Sequence, residues 1–372
     1  MAIFTKNMFM RKIILSLFIA LTFSSSAYPQ HTESDSLTTT ITRLAFQSKV
    51  KALIAGVWQG SKELALVTYG ESMTGVSVEK NMHFRIGGVT ETFQGTLLMM
   101  LVDQGKINLD DKISKWLPDI LAGDSVTVGM LIKNAGGYKD YVYNDSFIDM
   151  VLEDPFREIT DEEIISYSVS DGQLNFRPGT NQKYSHTEFT ILGEVMEKAT
   201  GKTMKELYEE NIFIPLGLMN TGYMSTPELP LPVLHSFSSD RGVYEDATYW
   251  NPSWTGESGA LYSNIEDLGK WGPIFGSGKL LSEESLKILM SQYRDLEKPG
   301  LYFASGFVVV NGWCVQNPSF NGFSGAFGYQ PYGDYTVIVY GTMAEDTEPG
   351  NQSFNILKEL SKFLTPDKPV NF

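Results

Sequence analysis

Between Val89 and Val102 the apolar residues Phe93, Leu97, Leu98, Leu101 and Val102 recur at three- and four-residue spacing, and Gly105 ends the run. That period predicts an amphipathic or buried helix, which needs a second layer to cover it. Upstream, Ala52 to Gln59 and Glu63 to Thr68 are two apolar runs split by Gly60-Ser61, the pattern of an antiparallel hairpin. A polar tail through Thr40 and a short helical stretch lead into it. A further helix is expected over Phe189 to Thr200, with Leu192, Val195, Met196 and Ala199 on one face and Gly201 as its stop. Toward the end come strands at Gly306 to Val310, Trp313 to Val315 after an Asn311-Gly312 turn, and Tyr335 to Tyr340, then a helix from Phe354 to Phe363. Hairpin, helical middle, antiparallel strands and closing helix make an α+β fold whose sheet draws strands from both ends of the chain.

At 372 residues, 42% hydrophobic and 20% charged, the chain can bury a large core, which excludes a disordered protein. Its net charge of −15 is scattered rather than blocked, and argues against nucleic acid or anionic lipid as partners. Lys6, Arg11 and Lys12 precede an apolar run from Ile13 to Phe23 and the small residues Ser25-Ser26-Ala27. This reads as a secretory leader over 1–27, removed to leave a secreted or periplasmic protein without a membrane span. A polar tail and helix start at 28–44 and one domain at 45–365 follow. Cys314 is the lone cysteine and reads as a buried small hydrophobe. The histidines are dispersed, so no metal site is expected.

Several segments carry a resemblance. They are Phe84-Arg85-Ile86-Gly87-Gly88-Val89-Thr90-Glu91-Thr92-Phe93, Leu101 to Asp111, Phe176-Arg177-Pro178-Gly179-Thr180, Leu192-Gly193-Glu194, Pro215-Leu216-Gly217-Leu218 and Gly278-Lys279-Leu280-Leu281. Together they resemble the class C β-lactamases, the penicillin-binding D-Ala-D-Ala carboxypeptidases and their esterase relatives, from about residue 50 to 363. The resemblance implies a β-lactamase/transpeptidase-like fold, an antiparallel sheet flanked by helices plus a helical subdomain. The α/β part is expected near 45–87 and 285–365, the helical part near 88–284. No cofactor is implied.

The same resemblance exposes what is missing. The family opens its buried helix with Ser-x-x-Lys, and here Gly88 stands for the serine and Glu91 for the lysine. The Tyr-x-Asn motif aligns with Tyr184-Ser185-His186. The strand motif, Lys-Thr-Gly or His-x-Gly, aligns with Phe323-Ser324-Gly325, and His-Thr-Ser-Gly becomes Asn134-Ala135-Gly136-Gly137. The expected pocket is Gly88, Asn134, Phe323, Ser324, Gly325 and Ala326, the amides of Gly88 and Ala326 standing where the family builds its oxyanion hole. Gly88 also reads as the helix N-cap. A glutamate in the first turn is favoured by the helix dipole by roughly 0.3–1 kcal/mol, whereas a lysine is opposed by it.

Three functions remain open. In the first the chain is a pseudoenzyme that binds a small molecule, a cell-wall peptide or a protein partner. In the second Glu91, Tyr184 and His186 do acid–base chemistry without a covalent intermediate, as in an isomerase, lyase or cyclase. In the third a hydrolase survives on Thr90, Ser185, Ser324 or a water driven by Glu91. Aromatic residues in two loops, Tyr138, Tyr141 and Tyr143 and then Trp250 and Trp254, read first as loop packing; if they line a cleft, they fit a flat, apolar or glycan-like ligand rather than a strongly anionic one.

Overall fold

The computed structural model describes residues 33–293 and 300–371, so the expected leader lies outside the described residues. Seven strands form the body of the sheet: β1 Val50–Gln59, β2 Lys62–Met73, β3 Leu301–Phe303, β4 Val308–Val310, β5 Trp313–Gln316, β6 Phe323–Gln330 and β7 Tyr335–Met343. Their spatial order is β2-β1-β7-β6-β5-β4-β3, with Val76–Ser77 outside β2 and Ser319–Phe320 beside β6. Every pairing is antiparallel, and β1 meets β7 in the register Ile54↔Tyr340 and Val57↔Val337. First and last strands thus lie side by side at the centre.

Six helices matter here: α1 Glu33–Gln47, α2 Thr90–Asp103, α3 His186–Thr200, α4 Ile265–Ser277, α5 Glu283–Met290 and α6 Gln352–Leu364. The helices α1 and α6 cover one face, where Leu37, Ile41, Leu357 and Leu360 pack on Val57 and Val337. The opposite face carries α2 and α4, with Phe93 stacked on Trp271 at 3.9 Å, over Ile54 and Ile338. Because both faces are covered, β1 is apolar almost throughout rather than alternating.

Two expectations change. The tail expected to stay polar through Thr40 is helical from Glu33, because Leu37, Ile41 and Ala45 recur every fourth residue and bury against the sheet. The strand β6 extends the Phe323-Ser324-Gly325 strand motif to Gln330, through glycines that leave no readable period. They are packing residues: a Cβ at Gly325 would stand 2.6 Å from the Tyr340 ring, and one at Gly328 would stand 3.0 Å from Leu357. Among the described residues no helix is long and apolar enough to cross a membrane.

Candidate functional site

The chain enters the site through Phe84–Arg85, turns at Gly87 and starts α2. Gly87 has φ +52, and a Cβ there would meet Phe320 at 2.5 Å and Pro318 at 2.7 Å. A 3-10 turn spans Gly87–Val89, which moves the helix N-cap from the expected Gly88 to Val89. One turn in, Glu91 points beneath the surface and is fully buried.

Glu91 is held from two sides. The Tyr184 hydroxyl donates to Oε1, and Gln316 Nε2 donates to Oε2 at 3.0 Å. The same Gln316 nitrogen donates to the Gly306 carbonyl at 2.7 Å. A carbonyl can only accept, so the amide edge of Gln316 faces inward and Oε1 faces outward, 3.0 Å from where a Cβ on Gly88 would sit. Burial pushes the Glu91 carboxyl well above the usual range, against the pull of both hydrogen bonds. Burial, and then the neighbouring Glu91, also raise Tyr184 well above an ordinary phenol. A tyrosine so placed stays neutral and is a poor base.

His186 begins α3 and reaches a different partner. Its Nδ1 lies 2.8 Å from Asp140 Oδ2; the Asp140 side chain is 2% exposed and that of His186 is 32% exposed. The Tyr184 ring stands edge-on to the imidazole at 4.8 Å. Asp140 was not a candidate in the sequence. It lies just past the Asn134 to Gly137 segment and pairs across a long chain separation, which leaves no local spacing to read.

Glu188 was missed for the same reason. It accepts the backbone N–H groups of Gly136, Gly137 and Tyr138 at 3.0, 2.7 and 3.1 Å and so fixes the loop that carries Asp140. Burial pushes its carboxyl up to about 8 despite those donors. Asn134 sits at φ +53, buried, with Oδ1 accepting the Ser185 amide at 2.9 Å. It shapes the loop without lining the cavity.

The cavity itself is about 510 Å³ and is bordered by Gly88, Tyr184, His186 and Gln316. Its walls are largely aromatic: Tyr141, Trp254, Phe303 and Phe320. Of the two aromatic loops, only Tyr141 and Trp254 belong to it. Tyr138 and Trp250 are buried elsewhere, and Tyr143 is exposed. Glu91 does not line it, being sealed beneath Tyr184 and Gln316.

A family model described as Beta-lactamase matches residues 37–352. The chain belongs to the β-lactamase family. It is 25% identical to penicillin-binding protein 4 of Amycolatopsis lactamdurans over 65% of this chain and 65% of that protein. It is 26% identical to the D-alanyl-D-alanine-carboxypeptidase/endopeptidase AmpH of Escherichia coli K12 over 55% of this chain and 52% of that protein. The chain therefore spans between about half and two thirds of these relatives. Among solved structures, a D-stereospecific amidohydrolase from a Streptomyces species superposes with a TM-score of 0.75 at 24% identity, covering 86% of this chain and 96% of that one.

Against this β-lactamase frame, the four pocket positions expected from the strand motif lie elsewhere. Phe323, Ser324, Gly325 and Ala326 do not border the cavity. Phe323 is in the core, Ser324 caps α6 through Asn351 and the Ser353 amide, and Ala326 pairs with Val339 inside the sheet. The hairpin turn Asn321-Gly322, both residues at positive φ, folds Ser319–Phe320 across β6 and puts that strand behind. The residues that reach the cavity from this side are Gln316 to Phe320, with Phe303 and Val308 from β3 and β4. Their side of the site holds an amide where the sequence alignment had placed a phenylalanine.

Proposed function

We propose that this member of the β-lactamase family binds a small ligand in the old catalytic cavity and performs no acyl transfer. The reading is carried by one observation: the place of the attacking hydroxyl is Gly88, and its neighbour Glu91 is a buried carboxyl clasped by Tyr184 and Gln316. No amine is there to prime a nucleophile, and Tyr184 is held in its neutral form. The hydroxyls named as substitutes fare no better. Thr90, Ser185 and Ser324 are all buried, and none borders the cavity.

A second reading has the His186–Asp140 pair to support it. A carboxylate on Nδ1 leaves Nε2 as a base, sufficient for proton transfer without a covalent intermediate. In that reading Glu91 acts only through Tyr184, not on the ligand. One experiment addresses both. The purified protein is incubated with a chromogenic cephalosporin and a p-nitrophenyl ester, and release should stay at the buffer rate. Turnover that is lost in His186→Gln favours the second reading, and turnover that persists in that variant overturns both.

A further inference from the structure

Four polar side chains around the cavity share one feature: their hydrogens are turned away from it. Gln316 donates both amide hydrogens, to Glu91 and to the Gly306 carbonyl. Thr255 donates to the Pro252 carbonyl at 2.8 Å, and Ser258 to the Thr255 carbonyl at 2.6 Å. His186 directs Nδ1 to Asp140, which as a carboxylate can only accept, so Nε2 on the opposite edge has no hydrogen in the neutral ring. All four residues border the cavity. Lone pairs are what these groups offer a ligand.

We propose that the cavity takes an organic cation, a primary amine carried on an aromatic or branched apolar body, with its ammonium donating to His186 Nε2 and the Gln316 carbonyl oxygen. This rests on the binding reading above and names its ligand class. An ammonium has three donors and no acceptor, which matches such a surface, while a carboxylate would set lone pair against lone pair. Asp140 behind the imidazole supplies opposite charge in a poorly solvated place. The apolar body has Tyr141, Trp254, Phe303 and Phe320 to pack on, and their faces attract a cation. Among the described residues that line the cavity none is Lys or Arg. The net charge of −15 draws in cations and repels anions.

The test uses three probes with one body: phenethylamine, its N-acetyl derivative and phenylpropanoate. Binding is measured by calorimetry at about pH 8, where a primary alkyl amine carries its charge. The amine should bind at least about tenfold more tightly than the carboxylate, with the neutral amide between them. Asp140→Asn, checked for an unchanged melting temperature, should shrink that preference to about threefold or less. His186→Gln should do the same and serves if the first variant does not fold. Equal or tighter binding of the carboxylate overturns the proposal, as does a preference that survives both variants or a failure of all three probes to bind. A covalent acyl adduct, by contrast, would overturn the binding reading beneath it.

Discussion

Glu188→Ala should cost about 3–6 kcal/mol of stability, read by chemical denaturation, because three buried backbone N–H groups lose their acceptor together. A loss of that size corresponds to a fall of about 10 °C in melting temperature. Glu188→Gln should be far milder. Its carbonyl oxygen still serves Gly137 and Tyr138, which share Oε1, and only the bond from Gly136 is lost. The glycines also leave no room for another arrangement, since a Cβ on Gly136 would sit 3.1 Å from the carboxylate. If alanine and glutamine prove equally damaging, or equally harmless, the three amides do not depend on this side chain.

Stability should also fall as pH rises from 5 to 7. Glu188 is pushed up to about 8 by burial, and Asp161, Glu91 and Glu257 are likewise raised, first by burial. Across this window the unfolded chain has released these protons while the folded one retains them, so each retained proton removes about 1.4 kcal/mol of stability per pH unit. For Glu188 alone the two pH units amount to roughly 3 kcal/mol. Lys133, which donates to the Ile288 and Ser291 carbonyls, is lowered by burial to about 7. It therefore acts in the opposite sense only above that pH, where the folded chain holds fewer protons than the unfolded one. Thermal unfolding at pH 5, 6 and 7 checks the trend, and Glu188→Gln should flatten it. A melting temperature that rises steadily from pH 5 to 7 would contradict the assignment of these carboxyls as raised.

What the sequence disclosed and what it withheld divide along physical lines. Features with a period were legible: the helical spacing from Phe93 to Val102, the β1–β2 hairpin, and the strands and helix that close the chain. Gly88 and Glu91 were legible too, because they lie three residues apart in one short sequence motif. The sheet side of the cavity was not. Phe323-Ser324-Gly325 matched a motif locally, but only the three-dimensional hairpin decides which strand faces Glu91, and it selects Gln316. Asp140 and Glu188 escaped because a side chain that serves a partner some fifty residues away leaves no mark in the local pattern. Burial decided the rest. Glu91 looked like a group of the pocket, and the structure lays Tyr184 and Gln316 over it.

The loss of acyl transfer is the claim on which the remaining assignments stand, and intact-mass spectrometry reads it directly. Purified protein is incubated with a fluorophosphonate and, separately, with benzylpenicillin. The mass should remain that of the unmodified chain in both. A stoichiometric adduct with either reagent, located by peptide mapping to a residue of the cavity, would show that a nucleophile survives there and would contradict the account.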